Sequence, residues 1–348
     1  MDIAIVVPRD TGAISGGTLY DHQLAKHLRT AGHAVDVVPI STSLNGRRLI
    51  AWTMNHRDHL SSHDLIIEDG LVHRRLIVAN RFIDAPTVGV MHMAYTRENA
   101  RRGSAVPAFL EWVEAQFLTN LDGVVYTSAS SWSDNRRLAP RTPAVVIPPG
   151  GDRLPATNGA PMTSPAERLD VIYVGTVVER KGLDIVVDAL IRLDHPWALT
   201  VVGDLTESPD FVTGIRRRIE TANVDDAVTW TGVLSDRELA NRMQEAHVLA
   251  MPSRYEPFGM AYLEAMGAGT VPIATNQGGP REFITHGQDG FVVPPTVEAV
   301  QARLATCTDE DRLAPLAGNA RETFESHPTW AEQMGAVAEF LGAVVERS

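Results

Sequence analysis

Short apolar runs alternate with helix-length amphipathic segments along almost the whole chain, and this alternation restricts the fold more than any other feature. Most runs have four to six residues, the length of a strand that is buried on both faces. The segments between them are long enough for the crossover helices that parallel strands require. The sequence therefore predicts an α/β protein in which helices cover both faces of parallel sheets.

The alternation occurs in two series, separated by a stretch that is rich in Pro, Gly, Ser and Thr. This stretch, residues 148–170, has no apolar period and predicts an interdomain linker. The 348 residues, 44% of them hydrophobic, also exceed what one core commonly organises. We expect two Rossmann-like domains facing a cleft, over residues 1–155 and 168–328, with a C-terminal helix in residues 329–348 that packs back across the hinge.

The apolar runs give the expected strand positions directly. In the first series the predicted strands are Ile3 to Val7, Ala34 to Val38, Leu65 to Glu68, Thr87 to Met91, Gly123 to Thr127 and Ala144 to Ile147. In the second series they are Val171 to Val174, Leu199 to Val202, Val228 to Thr231, Val248 to Met251 and Pro272 to Ala274. A helix is predicted from Thr18 to Thr30, and Gly32 is its expected C-cap.

Charge and cysteine content exclude several classes of protein. The net charge is −12, and residues after 153 hold 28 acidic but only 15 basic side chains, which argues against a nucleic-acid partner. The single Cys307 excludes an internal disulfide and has no neighbour at the spacing of a metal site. No apolar run approaches the roughly 18 residues of a membrane span, and no basic leader precedes the first strand, so we expect a cytoplasmic protein.

The stretch from Pro252 to Gly269 holds the most informative residues. Pro257 disfavours helix at Glu256, whereas Met260 to Met266 is typical of a helix that carries Glu264. Unpaired backbone N–H groups at the start of this helix suit a diphosphate or sugar oxygens. The two carboxylates can accept hydrogen bonds from hydroxyls on two rings of one ligand, as a nucleotide sugar offers.

These residues resemble glycosyltransferase family 4, in which two glutamates are separated by seven residues. The likeness continues through Thr270 to Thr275, Gly278 to Ile284 and Gly287 to Val293. It implies the GT-B fold and retaining transfer of a hexose from a nucleotide-sugar donor to a hydroxyl acceptor (a glycan, lipid or small metabolite), with no essential metal or cofactor. By the resemblance Glu264 binds the ribose of the donor, and the backbone amides of Phe258, Gly259 and Met260 bind its sugar and phosphate. Glu256 is a catalytic residue that orients the transferred sugar.

A second stretch, Val174 to Asp184, matches the family's phosphate-binding loop. By resemblance Lys181 binds the donor phosphates and stabilises the leaving nucleotide from the start of a helix. The family's arginine immediately after the glycine is Thr176 here, which is a departure from the pattern. Arg180 could replace it by reaching a phosphate with its planar guanidinium, or it could point to solvent. Both alternatives remain open.

Three features of the first series add to the resemblance. Gly16 and Gly17 lie between the first strand and the first helix, as in the family's glycine loop that faces the donor phosphates. His92 ends a strand where the family has its active-site histidine. Asp69 ends the neighbouring strand and, with Tyr20, could meet the acceptor, although a solvated loop is an equal alternative for Asp69.

Other interpretations explain fewer features of the sequence. Asp309-Glu310-Asp311 predicts a helix cap rather than a metal site. The N-terminal domain has a possible basic amphipathic surface formed by Arg97, Arg101, Arg102, Phe109, Trp112 and Phe117. This surface could make a weak peripheral contact with a membrane, or it could be a solvated face. A sugar-nucleotide epimerase, a glycan phosphorylase and a nucleotide-sugar-binding protein without catalysis are the alternative functions.

Overall fold

The computed structural model describes residues 1–9, 16–93, 108–155 and 164–348, and these residues form two compact units. The first unit comprises Met1–Pro149 together with Trp330–Ser348, and the second comprises Gly150–Thr329. Each unit contains one parallel six-stranded sheet with flanking helices. The predicted α/β class with two Rossmann-like domains is confirmed.

The sheet of the first unit has the strand order β2-β1-β3-β4-β5-β6. Its central strands β3 and β4 are buried along their whole length, because a parallel strand between two helical layers has no solvent-facing side. The strands are β1 Asp2–Pro8, β2 Ala34–Ile40, β3 Leu65–Asp69, β4 Thr87–Met91, β5 Gly123–Tyr126 and β6 Ala144–Val146. The helices are α1 Gly16–Thr30, α2 Gly46–Ser61, α3 His73–Ala79, α4 Ala108–Thr119, α5 Ala129–Asn135 and the C-terminal α12 Trp330–Val345.

The sheet of the second unit has the order β12-β11-β10-β7-β8-β9. The strands are β7 Leu169–Val174, β8 Trp197–Val202, β9 Val228–Gly232, β10 Val248–Met251, β11 Val271–Thr275 and β12 Phe291–Val293. The helices are α6 Leu183–Ile191, α7 Pro209–Thr221, α8 Asp236–Glu245, α9 Met260–Ala268, α10 Val297–Cys307 and α11 Glu310–Ser326. One continuous apolar core joins this sheet to its helices.

The division between the units lies earlier in the chain than the predicted end of the first domain at residue 155. Residues from Gly150 belong to the second unit because they bond to it: the Gly151 amide donates to the Pro328 carbonyl at 3.1 Å, and Arg153 forms two ion pairs there. The C-terminal helix α12 belongs to the first unit, in which it packs against α1 and β5. The chain therefore passes from the first unit to the second and back.

Several local predictions can be compared with the structure. Asp309 caps α11 by accepting a hydrogen bond from the Asp311 amide at 3.0 Å, so the capping interpretation is confirmed. Gly32 has the expected positive φ, 88°. The three-residue strand β12 was not predicted.

The proposed amphipathic surface of the first unit is only partly present. Phe109 and Trp112 are exposed on α4, but Phe117 is fully buried and belongs to the core of the unit. The arginines of this surface, Arg97, Arg101 and Arg102, lie outside the described residues. Among the helices that the structure describes, none has the length and apolar character that crossing a membrane requires.

Candidate functional site

The predicted donor residues of the second unit follow β7 and β10, and the glycine loop after β11 bonds to Glu256. These strands are neighbours in a parallel sheet, so their carboxyl ends lie at one edge, which is where ligands of open α/β sheets bind. The loop after β7 holds Lys181, the loop after β10 holds Glu256, and the loop after β11 holds Gly278. The fold thus brings together residues that are up to about 100 positions apart in sequence.

Lys181 and Glu256 form an ion pair at this edge. Lys181 lies in the short 3₁₀ turn directly before α6, and its Nζ donates to Glu256 Oε2 at 2.7 Å. Ser253 Oγ donates to the same oxygen at 3.0 Å. The side chains of Lys181 and Glu256 are only 16% and 8% exposed. The pair is therefore largely shielded from water, which strengthens its electrostatic interaction.

The backbone of Glu256 is fixed by the glycine loop that follows β11. The Glu256 amide donates to the Gln277 carbonyl at 3.0 Å, and the Gly279 amide donates to the Glu256 carbonyl at 2.9 Å. Gly278 has a φ of 112°, and a Cβ at this position would lie 2.0 Å from the Glu256 carbonyl oxygen. Only glycine permits this approach, so the Gly278-Gly279 pair of the sequence motif acts by placing Glu256.

The ionisation of the pair reflects burial and mutual attraction. Burial opposes the charge of Glu256, but Lys181 and Arg180 outweigh it and hold the pKa of Glu256 below its ordinary value. Burial lowers the pKa of Lys181, and Glu256 opposes this shift. Glu256 is thus held as a carboxylate.

The helix that carries Glu264 begins at Met260, as predicted, directly after Gly259. The amides of Met260 and Ala261 precede the first bond of the helix, in which the Tyr262 amide donates to the Gly259 carbonyl at 3.0 Å, and they form the electropositive end that the sequence predicts. Phe258 packs its buried ring against Phe283, at 4.9 Å between centroids. This contact anchors the chain just before the helix.

Glu264 is paired with an arginine that the sequence analysis did not single out. Arg153 Nε donates to Glu264 Oε1 at 2.6 Å, and Arg153 Nη1 donates to Asp236 Oδ1 at 2.7 Å. Burial raises the pKa of Glu264, and Arg153 opposes that shift. Arg153 bonds only one of the two carboxylate oxygens, which leaves the other for a ligand hydroxyl.

Arg180 contacts the loop that holds Glu256, and its predicted contact with a donor phosphate stays a prediction. Its Nη1 donates to the carbonyl of Tyr255 at 3.0 Å, and the guanidinium lies near enough to Glu256 to lower the pKa of that carboxyl. The side chain thus holds the Tyr255-Glu256 loop and adds positive charge beside Lys181. Thr176, at the family's arginine position, brings no charge.

Replacing Arg180 with glutamine separates these two contributions. The amide of Arg180→Gln can still donate to a carbonyl but carries no charge, so we expect turnover with a nucleotide sugar to fall about tenfold, the effect of losing roughly 1.4 kcal/mol of transition-state stabilisation. The free energy of unfolding should change by less than about 1 kcal/mol. Unchanged turnover, measured together with denaturant unfolding, would show that Arg180 supports only the loop.

In the first unit His92 lies directly after β4, with Asp69 at the end of β3 and Asp21 on α1. His92 Nε2 is 3.6 Å from Asp21 Oδ1 and 3.9 Å from Asp69 Oδ1. Burial opposes protonation of His92, but the two carboxylates outweigh it and raise the pKa of the imidazole. Asp69 is buried and accepts a hydrogen bond from the Leu71 amide at 2.7 Å, so the solvated-loop alternative for Asp69 is wrong.

Tyr20 lies beside this group but is not accessible. Its ring is fully buried, with edge contacts to His92 and Trp330, and its hydroxyl donates to the Ile147 carbonyl at 3.0 Å. Tyr20 therefore has no exposed surface in this structure with which to make the predicted contact with an acceptor. The observed contacts make it a support for the His92 ring.

Gly17, in the first turn of α1, lies against the same ring. A Cβ at Gly17 would be 2.9 Å from His92 Cδ2, closer than real Cβ contacts. Gly16 is the first residue of α1. Gly17 thus lies beside His92, and the predicted contact of the glycine loop with the donor phosphates stays a prediction.

We expect Gly17→Ala to destabilise the first unit, although alanine normally stabilises a helix by about 1 kcal/mol relative to glycine. The matched control is Gly335→Ala in α12 of the same unit, where a Cβ would meet no atom within 4 Å. Denaturant unfolding should show a gain for Gly335→Ala and a loss for Gly17→Ala. An equal gain in both variants would contradict the packing of His92 on Gly17.

A segment of the chain that includes Lys181 and Glu256 matches a known protein family. Residues 160–323 match the family described as glycosyl transferases, group 1. The matched segment lies within the second unit. A glycogen synthase of Mycobacterium tuberculosis is 29% identical over 281 residues, which cover 78% of this chain and 66% of the synthase. The match thus spans slightly less than two thirds of that relative.

Solved structures show that the likeness of fold extends beyond the segment that matches the group 1 family. A sucrose-phosphate synthase of Thermosynechococcus elongatus matches with a TM-score of 0.83 at 22% identity, over 100% of both chains. The Anabaena protein HepE, in complex with UDP and glucose, matches with a TM-score of 0.78 at 20% identity, over 99% of this chain and 100% of HepE. The predicted GT-B fold is confirmed.

Proposed function

We propose that this chain is a retaining glycosyltransferase of the family 4 type, which moves a hexose from a nucleoside diphosphate sugar to a hydroxyl acceptor. The observation that carries the proposal is the Lys181–Glu256 pair beside the start of α9, within the segment that matches the group 1 family. The glycogen synthase relative and the UDP complex of HepE support a nucleotide-sugar donor.

We assign each donor residue a role that is compatible with its contacts. Lys181 stabilises negative charge that grows on the departing diphosphate, and the first-turn amides of α9 bind the same group. Glu264 accepts hydrogen bonds from the ribose through the oxygen that Arg153 leaves unbonded. Glu256 exchanges its bond with Lys181 for hydroxyls of the transferred hexose, because each partner gains a ligand group of complementary polarity.

The protein's own cations neutralise the diphosphate in this proposal. Lys181 and Arg180 lie in one turn and both act on Glu256, so a bound diphosphate would meet two positive charges at the same edge of the sheet. Transfer then needs no metal ion on the diphosphate. His92 of the first unit takes the remaining catalytic role, as the resemblance implies, and Asp69 is the candidate acceptor contact.

A panel of nucleotide sugars tests the proposal. With the right pair of donor and acceptor, proton NMR should show a glycoside whose anomeric configuration equals that of the donor. Formation of an epimeric nucleotide sugar would instead support the epimerase alternative. Tight nucleotide-sugar binding without hydrolysis or transfer across a broad acceptor panel would support the binding-protein alternative.

A further inference from the structure

The segment through which the chain enters the second unit carries an arginine that bonds to the donor site. Arg153 lies three residues after Gly150, where the second unit begins. The Gly151 amide donates to the Pro328 carbonyl at 3.1 Å, and Pro328 directly precedes Thr329, the last residue of the unit. The entry and return segments of the chain are thus bonded to each other. Arg153 therefore extends from a backbone segment that is held in place.

The guanidinium of Arg153 bonds to two carboxylates on different helices. Its Nε donates to Glu264 Oε1 on α9 at 2.6 Å, and its Nη1 donates to Asp236 Oδ1 at the start of α8 at 2.7 Å. The side chains of Arg153 and Glu264 are 16% and 6% exposed, whereas that of Asp236 is 58% exposed. Water screens a buried ion pair much less than an exposed one, so the contact with Glu264 is the stronger of the two.

Glu264 depends on this arginine for its charge. Burial raises the pKa of Glu264, Arg153 opposes this shift, and Asp236 adds to it. Burial also opposes the charge of Arg153, but the two carboxylates outweigh it and raise the pKa of the guanidinium. Without Arg153 the carboxyl group of Glu264 would be buried beside a second acidic residue, and both effects favour its protonation.

The geometry of the pair also directs Glu264. Among the described residues Oε2 of Glu264 accepts no hydrogen bond, because Arg153 bonds Oε1 alone. A ribose hydroxyl donates its strongest hydrogen bond to an ionised carboxylate. We propose that Arg153 is a positioning residue for donor binding, which fixes Oε1 of Glu264 and supplies the charge that keeps Oε2 an acceptor for a ribose hydroxyl. This role rests on the proposed function, because its ligand is a nucleoside diphosphate.

A pH profile separates this role from a merely structural one. The ribose contact needs the carboxylate form of Glu264, so nucleotide affinity is present above the pKa of Glu264 and is lost as the pH falls through it. Arg153→Gln raises that pKa further, so the loss of affinity should begin at a higher pH than in the unchanged protein. The nucleotide phosphates titrate as well, but they do so with both proteins and cancel in the ratio of the two affinities.

Calorimetric titration of the full chain with UDP, ADP and GDP between about pH 5 and pH 9 measures this profile. Near neutral pH we expect Arg153→Gln to bind at least about fivefold more weakly than the unchanged protein. Arg153→Lys keeps the positive charge and should largely restore the profile. Equal affinity and an equal profile for Arg153→Gln would overturn the proposal. So would tighter binding by Arg153→Gln, which would mean that Arg153 competes with the ribose for Glu264.

Two further variants change similar groups but have different expected effects. Asp236→Asn removes a charge that raises the pKa of Glu264, so the loss of affinity should begin at the same pH or a lower one, in contrast to Arg153→Gln. Arg168 Nε donates to Asp170 Oδ1 at 2.8 Å directly before β7, at the edge of the sheet opposite the donor site. Arg168→Gln should leave affinity and profile unchanged. A shift to higher pH in either variant would contradict a specific action of Arg153 on Glu264.

A measurement without nucleotide separates failure of this role from failure of the proposed function. The free energies of unfolding of Arg153→Gln, Glu264→Gln and the double variant give the coupling between the two side chains. We expect this coupling near neutral pH and a weaker coupling at acid pH, where Glu264 is protonated. Coupling that is absent or independent of pH would overturn the role of Arg153. Absence of nucleotide binding to the unchanged protein would contradict the proposed function, whereas failure of this role alone appears only in the variants.

Discussion

Lys181→Gln is expected to lower turnover with a nucleotide sugar by about a hundredfold to a thousandfold, the usual effect of removing one preorganised group that stabilises charge in the transition state. Glutamine can still donate to Glu256, which avoids the roughly 3 to 5 kcal/mol cost of leaving a buried partner unpaired. Steady-state kinetics and thermal unfolding of the same preparation measure both effects.

The chain offers a direct control, because its only other lysine is the exposed Lys26 on α1. Lys26→Gln should leave turnover unchanged. If Lys181→Gln retains more than about a third of the turnover, Lys181 does not meet the leaving group, and the Lys181–Glu256 pair is only a structural ion pair.

Glu264→Gln is expected to weaken binding of a nucleoside diphosphate by about tenfold to a hundredfold. A hydrogen bond that involves a charged group contributes about 1.5 to 3 kcal/mol, and the ribose contact exists in the ground state as well as the transition state. Asp236→Asn is the control, since it removes the other partner of Arg153 and leaves Glu264 in place. Calorimetry should show near-normal nucleotide binding for the control.

A 2′-deoxy or 3′-deoxy nucleotide shows whether the lost contact is the ribose. Removing the hydroxyl that Glu264 contacts should weaken binding to the unchanged protein but have little further effect on Glu264→Gln, because the two changes remove one interaction. Additive losses for both deoxy nucleotides would exclude a ribose contact of Glu264. Glu256→Gln should differ in kind, with lower turnover and nearly normal nucleotide binding.

The sequence predicts much of the fold because its strands are short, apolar and well separated. Thr87–Met91 and Val248–Met251 have the predicted bounds, since an apolar run and the flanking residues mark both ends. The three residues Phe291–Val293 form a strand only because β11 lies beside them, with Ile273 opposite Phe291. Such a run has no periodicity that could separate it from a loop.

The sequence predicts individual site residues better than their partners. Glu256, Glu264 and Lys181 stand in ordered motifs, but Arg153 lies 111 positions from Glu264, in a stretch that is typical of a linker. Asp21 is likewise hidden, because an acidic residue in an amphipathic helix usually faces solvent. Asp21 is buried against His92 because the fold brings α1 beside the ends of β3 and β4, and the local sequence pattern does not show this contact. This part of the site depends on contacts between residues that are far apart in sequence, and residue type alone does not indicate such contacts.

The most direct test of the account is an experimental structure of the chain with a bound nucleoside diphosphate. We predict that the diphosphate lies at the start of α9 and within hydrogen-bond reach of Lys181 Nζ, which leaves its bond with Glu256. We also expect a ribose hydroxyl on the Glu264 oxygen that Arg153 does not bond. A nucleotide bound away from Lys181, or one whose ribose makes no contact with Glu264, would contradict the proposed donor site.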